Sequence, residues 1–218
     1  MKKLFALLLT AAMLLTLTAC GTQNTDSGAL DEPKNDAAAD ITDPAPAEDT
    51  PEGTGGRILV AYFSATGHTK TVANYLQAAL DADLYEIVPQ EPYTAADLDY
   101  STDGCRANLE QNDDSARPAI SGSVNNMDEY DVVFIGYPIW WGKSPKIVDT
   151  FLESYDFSGK TIVPFCTSGG SGIDGSLDEI QALAPDAEWL TGQRFASTAG
   201  AADVQSWVDG LGLSDPAI

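Results

Sequence analysis

Short apolar strands alternating with helix-period segments predict an α/β domain, a parallel sheet with helices on both faces. Three observations carry this prediction. The runs Ile58–Phe63 and Asp131–Tyr137 are apolar with little alternation, as in strands buried on both sides. Each strand-like run is followed, after a loop, by a segment of helical period. Three loops of unusual composition each follow a strand, so a parallel sheet gathers all three at its carboxyl end, where such sheets hold ligands.

The 218-residue chain opens with Lys2 and Lys3, an apolar stretch from Leu4 to Leu17 and then small residues, which reads as a secretory signal over residues 1–20. The apolar stretch is short for a membrane span. It ends Leu17-Thr18-Ala19-Cys20, which resembles the lipobox of bacterial lipoproteins. That resemblance implies a diacylated Cys20 at the mature amino terminus and a lipid-anchored protein on the extracytoplasmic face of the bacterial cell membrane. Residues 21–56 carry nine acids against Lys34 and almost no large apolar side chains. Such a segment buries too little surface to offset its conformational entropy and is expected to be a disordered acidic tether.

Residues 57–218 form the expected folded domain, with 24 acidic and 8 basic side chains. A net charge of −16 argues against a nucleic-acid partner. His68 is the one histidine, and no CxxC or other metal-ligand spacing is present, so neither a metal site nor a catalytic residue is singled out. Cys105 and Cys166 are expected as free thiols, although an oxidising compartment would permit a bridge.

The first strand, Ile58–Phe63, runs into Ser64, Thr66, Gly67 and Thr69, and a helix follows over Lys70–Leu80. A helix start has unpaired N–H groups and a positive dipole end, so hydroxyls and a glycine there suit either an ordinary cap or a phosphate. The glycine spacing fits neither a Walker A loop nor a dinucleotide fingerprint. Asp83–Val88 reads as a second strand. Gln90–Ser123 is long and polar with one short helix near Cys105–Asn112; Tyr93, Tyr100, Arg106 and Glu110 either shape a cleft or lie in a solvated loop. The third strand, Asp131–Tyr137, enters Pro138-Ile139-Trp140-Trp141-Gly142-Lys143-Ser144-Pro145. Adjacent tryptophans there serve as core, as partner surface or as a platform for a flat ligand. A helix follows from Pro145 to Tyr155. The fourth strand, Lys160–Cys166, meets the glycine-rich loop Thr167–Gly172, whose backbone can approach a ligand closely. A helix over Asp174–Leu183, a fifth strand near Trp189–Phe195 and a last helix over Ala201–Leu211 complete the domain.

Across Arg57–Leu213 these residues resemble the flavodoxin family. Ser64-Ala65-Thr66-Gly67-His68-Thr69 matches the family's phosphate loop, T/S-x-T-G-x-T. Tyr137–Gly142 resembles a loop that covers one flavin face in a flavodoxin-like subgroup, and Thr167–Gly172 resembles the third FMN loop. The resemblance implies a flavodoxin-like doubly wound fold of five parallel strands in the order 2-1-3-4-5, with FMN at the switch between the first and third strands. It implies that Ser64, Thr66, Gly67, His68 and Thr69 hold the phosphate. Pro138, Ile139, Trp140 and Trp141, with Gly142, would pack on the isoalloxazine, and Thr167, Ser168, Gly169 and Gly170 would meet the ring edge or ribityl chain. The third loop lacks the aromatic that many small flavodoxins stack on the other face; Gln90–Ser123 either covers that face or leaves it open.

A phosphate held by neutral donors in an acidic domain would disfavour added negative charge and lower the potential of the last electron. The implied roles are an electron carrier between redox partner proteins, an NAD(P)H-dependent FMN oxidoreductase acting on small acceptors such as quinones, or a binding module that has lost its flavin.

Overall fold

The computed structural model describes residues 56–213. The signal, Cys20 and all of the tether but Gly56 lie outside them, and among the described residues no helix is long and apolar enough to cross a membrane.

Strand β1 (Arg57–Tyr62) lies in a parallel sheet between the edge strand β2 (Asp83–Glu86) and the central strand β5 (Tyr130–Pro138). Next to β5 comes β6 (Thr161–Thr167), and the fifth position is shared by β7 (Glu188–Trp189) and β8 (Gln193–Phe195). The spatial order is the predicted 2-1-3-4-5. The chain moves outward from β1 to β2 and then returns past β1 to β5, so the switch point lies between β1 and β5.

Side chains on each strand alternate between two cores. Leu59, Ala61, Val133, Ile135 and Ile162 face α3 (Lys146–Glu153) and α4 (Asp174–Leu183), packing on Ile147, Phe151 and Ile180. Val60, Tyr62, Phe134, Val163 and Phe165 face α1 (His68–Leu80) and α5 (Ala201–Leu211), packing on Val72, Leu76, Val204 and Val208. Gly136 of β5 pairs in register with Phe165 of β6, and an added Cβ would fall inside the Phe165 ring lying over it. Gly136→Ala is expected to cost about 1–3 kcal/mol through overpacking, read as a lower denaturation midpoint at unchanged slope.

Three expectations need correction. The fifth strand is broken. The Leu190 N–H donates to the Ile162 carbonyl at 2.9 Å, and residues two apart on a strand face the same side. Pro164 therefore turns its donorless nitrogen toward the fifth strand, and pairing lapses until Gln193 meets Phe165. The second strand stops at Glu86, not Val88. Beyond it β3 (Val88–Pro89) pairs antiparallel with β4 (Ile120–Ser121), closing the neck of the long excursion. Finally, Pro145 is extended (φ −62°, ψ 141°) and precedes α3, which ends at Glu153 rather than Tyr155.

The excursion is not a solvated loop. Its helix α2 (Arg106–Gln111) places Ala107 and Gln111 in the interior, and Cys105 is buried just before it. The Arg106 guanidinium lies 4.1 Å from the Tyr93 ring centre and donates to Glu110 at 2.6 Å, while the Tyr93 hydroxyl donates to the same carboxylate. Burial and the Glu110 carboxylate hold the Tyr93 phenol well above its usual range.

Candidate functional site

The loops after β1, β5 and β6 meet at the carboxyl end of the sheet around a cleft of about 280 Å³. Ala65, Thr66 and His68 line it from the first loop, Pro138, Ile139 and Trp140 from the second, and Thr167, Ser168 and Gly169 from the third. Leu98 and Tyr100 of the long excursion and Ser197 beyond β8 complete it.

The first loop is built to leave donors free. Gly67 takes a left-handed conformation (φ 88°) that turns the chain from strand to helix. Ser64 Oγ accepts the Gly67 N–H at 3.1 Å, fixing the bend from outside the helix. The first helical bond runs from the Thr71 N–H to the Gly67 carbonyl at 3.0 Å. No side chain caps α1, and its first turn contains no acid. The N–H groups of His68, Thr69 and Lys70 thus have no acceptor among the described residues. Three aligned donors at a positive dipole end form an anion seat, and the exposed Thr66, Gly67 and His68 leave it open. Helix α1 starts two residues earlier than the Lys70 the periodicity suggested.

The backbone and the side chain of Thr69 have separate tasks, the N–H belonging to the anion seat. The side chain is buried, and its hydroxyl meets that of Thr167 at 2.8 Å, joining the helix start to the third loop.

The two tryptophans separate. Residues 140–143 form a two-residue hairpin turn in which the N–H groups of Trp140 and Lys143 each donate to the other's carbonyl at 3.0 Å. Both central residues have positive φ, 47° at Trp141 and 85° at Gly142, the geometry of a type I′ turn. The turn sends the neighbouring side chains apart. Trp140 is 3% exposed and meets Phe63 (5.5 Å between ring centres) and Tyr93 (5.2 Å) edge to face. Trp141 is 44% exposed, does not line the cleft, and packs at a tilt against Tyr100 with 4.9 Å between ring centres. Gly142 likewise lies outside the lining and serves the turn. From the excursion, Gln111 Nε2 donates to the carbonyls of Trp140 and Ser144, both at 3.1 Å, and clamps this hairpin from behind.

In the third loop, Ser168 lines the cleft with its donors already committed. Its N–H donates to Phe195, its hydroxyl donates to Ser171, and its carbonyl and hydroxyl oxygens accept from Arg194. Gly169 and Gly170 have open space where a Cβ would stand, so bare backbone faces outward. The Ile139 N–H donates to the Thr167 carbonyl at 3.1 Å and joins the second and third loops.

Of the residues singled out in the sequence, Thr66, His68, Pro138, Ile139, Trp140, Thr167, Ser168 and Gly169 share one cleft. Ser64, Gly67 and Thr69 shape it from behind, while Trp141, Gly142 and Gly170 stand outside its lining. Ser197 was readable from the rule already used, since the loop after the fifth strand also falls at the carboxyl end.

Cys105 and Cys166 are free and buried. Burial pushes the Cys166 thiol up to about 12 from 9.0. The folded state therefore favours the neutral thiol, a contribution complete below about pH 9 and lost as pH rises toward 12. Iodoacetamide at pH 8 is expected to spare Cys166 in the folded chain and modify it in denaturant; rapid labelling of the folded chain would contradict the burial.

A doubly wound α/β domain with an anion seat and an aromatic-walled cleft at its switch point is the class defined by these features. The flavodoxin family model matches residues 57–211, and the chain belongs to the flavodoxin family. Among solved structures, it is 46% identical to a protein from Bacteroides eggerthii assigned as a flavoprotein, with 72% of this chain and 98% of that one covered and a TM-score of 0.68. A second protein so assigned, from Bacteroides uniformis, is 43% identical over 71% and 99% of the two chains, TM-score 0.68. A flavoprotein from Lactobacillus acidophilus, solved in complex with FMN, is 23% identical over 72% and 98%, TM-score 0.54, which speaks to the fold. No curated protein matches.

Proposed function

We propose that the domain binds FMN and transfers electrons between redox partners or to small acceptors, tethered outside the cytoplasm by a lipid on Cys20. The observation that carries the proposal is the anion seat, three uncapped N–H groups at the start of α1, opening onto a cleft walled by Ile139, Trp140, Leu98 and Tyr100. A phosphate matches the donors and the dipole; a flat apolar ring matches the walls. The flavodoxin assignment and the FMN complex of the Lactobacillus relative support the same cofactor.

Bound FMN supplies the electron-accepting chemistry. His68, Thr69 and Lys70 offer N–H groups to the phosphate, with Thr66 and His68 adding side-chain donors. Ile139, Trp140, Leu98 and Tyr100 exclude water from the ring.

An NAD(P)H-dependent oxidoreductase is the second reading, favoured by the half-open rim at Tyr100, which is 60% exposed. Purified full-length protein is expected to be yellow and to release FMN on denaturation. A colourless, folded preparation that rejects added FMN would refute the cofactor. Saturable NAD(P)H oxidation with an acceptor selects the enzyme; rapid exchange with a reduced carrier protein alone selects the carrier. Cys20→Ser is expected to release the protein from the membrane fraction, and unchanged partition would refute the anchor.

A further inference from the structure

Eight Lys and Arg side chains lie among the described residues. Six of them, Arg57, Lys70, Arg106, Arg117, Lys143 and Lys146, form ion pairs with carboxylates. Lys160 gives its ammonium to the Tyr130 carbonyl at the amino end of the strands, far from the cleft. Arg194 is the remaining one. It stands on β8 in register with Cys166, half-buried. Its Nε donates to Ser168 Oγ at 3.1 Å and its Nη2 to the Ser168 carbonyl at 2.8 Å. Among the described residues no carboxylate lies within ion-pair distance of it.

The placement is what matters. Ser168 is part of the cleft wall, so a permanent positive charge with no ion-pair partner among the described residues stands directly behind the third loop. The same loop presents the N–H groups of Gly169 and Gly170, which have no acceptor among the described residues. The domain's net charge of −16 is dispersed over its surface, where salt screens it. A half-buried cation close behind the wall acts at short range through protein and is screened much less.

We infer that Arg194 makes the third wall electropositive, so that the cleft favours the negatively charged reduced ring of FMN over the neutral oxidised ring. Two electrons and one proton added to the oxidised ring give a ring of net charge −1, and the added charge is what Arg194 meets. The inference rests on the FMN reading and reverses the expectation, drawn from net charge alone, that the reduced anion is disfavoured.

The test uses the full-length protein loaded with FMN, as wild type, Arg194→Gln and Arg194→Lys. Flavin-fluorescence quenching gives the affinity for the oxidised form. Titration with dithionite against a reference dye gives the potential, and the two together give the ratio of reduced to oxidised affinity. Arg194→Gln is expected to lower that ratio about tenfold, a fall of about 30 mV for a two-electron couple. Its affinity for oxidised FMN is expected to stay within about threefold, because glutamine can still bond Ser168. Arg194→Lys keeps the charge and is expected to hold the ratio within about threefold. Should the glutamine variant not fold, judged by near-ultraviolet circular dichroism, Arg194→Met repeats the measurement with a long uncharged stem. An unchanged ratio in the uncharged variant overturns the inference. So does a lysine variant that falls as far as glutamine, since loop geometry and not charge would then be responsible. Wild-type protein that takes up no FMN fails the cofactor reading itself and this inference with it.

Discussion

Replacing Trp140 by alanine is expected to lower domain stability by about 3–5 kcal/mol, the usual cost of deleting a large buried aromatic, and to lower Tm by roughly 10 °C. The indole is 3% exposed and is held edge to face by Phe63 and Tyr93. Its loss opens a void between β1, the second loop and the long excursion, and the Gln111 clamp then grips a hairpin with nothing behind it. The same void takes away a cleft wall, so FMN affinity falls as well. Tyr93→Ala, at a half-buried ring outside the cleft lining, is expected to weaken FMN less. Calorimetric melts of the apoprotein and fluorescence titrations with FMN provide the comparison. Equal FMN affinities in the two variants would mean that the ring does not lie against Trp140.

Thr66→Asp is expected to separate stability from binding. A carboxylate beside the uncapped start of α1 interacts well with the dipole and with the free N–H groups, adding about 0.3–1 kcal/mol to the apoprotein. It also sets a negative charge where the phosphate would sit. Two unit charges 4 Å apart near a surface repel by about 4 kcal/mol, and salt reduces this at an exposed loop. The dissociation constant for FMN is expected to rise at least about thirtyfold, roughly 2 kcal/mol, while the apoprotein melts at the same or a higher temperature. A Thr66→Asp protein that keeps wild-type affinity would move the phosphate away from this turn. Riboflavin, which has no phosphate, serves as a control, and its binding is expected to change much less.

The sheet was legible because its strands are buried on both faces and its helices on one. Val60, Phe134 and Val163 needed no partner information to be placed inside. The three loops were legible for a related reason: a parallel sheet sends every strand's carboxyl end to the same side. What escaped the sequence depended on partners distant in the chain. Strands β3 and β4 have two residues each, too few to show a period. The division of the fifth strand originates in Pro164, a residue of the neighbouring strand. Trp141 is not a turn-forming residue, so its positive φ had no signature, and with the turn unseen the two tryptophans read as one surface. Arg194 carried no signal of its own in the sequence, because Ser168, the group it holds, lies 26 residues away in the chain.

The hydroxyl pair between Thr69 and Thr167, out of reach of solvent, couples the two ends of the cleft mechanically. Whatever settles the turn of α1 also settles the glycine loop opposite, and thermodynamic reciprocity requires the influence to run both ways. A cofactor cut in two would therefore bind as allies: inorganic phosphate in the seat would help hold riboflavin in the trough, although the two never touch.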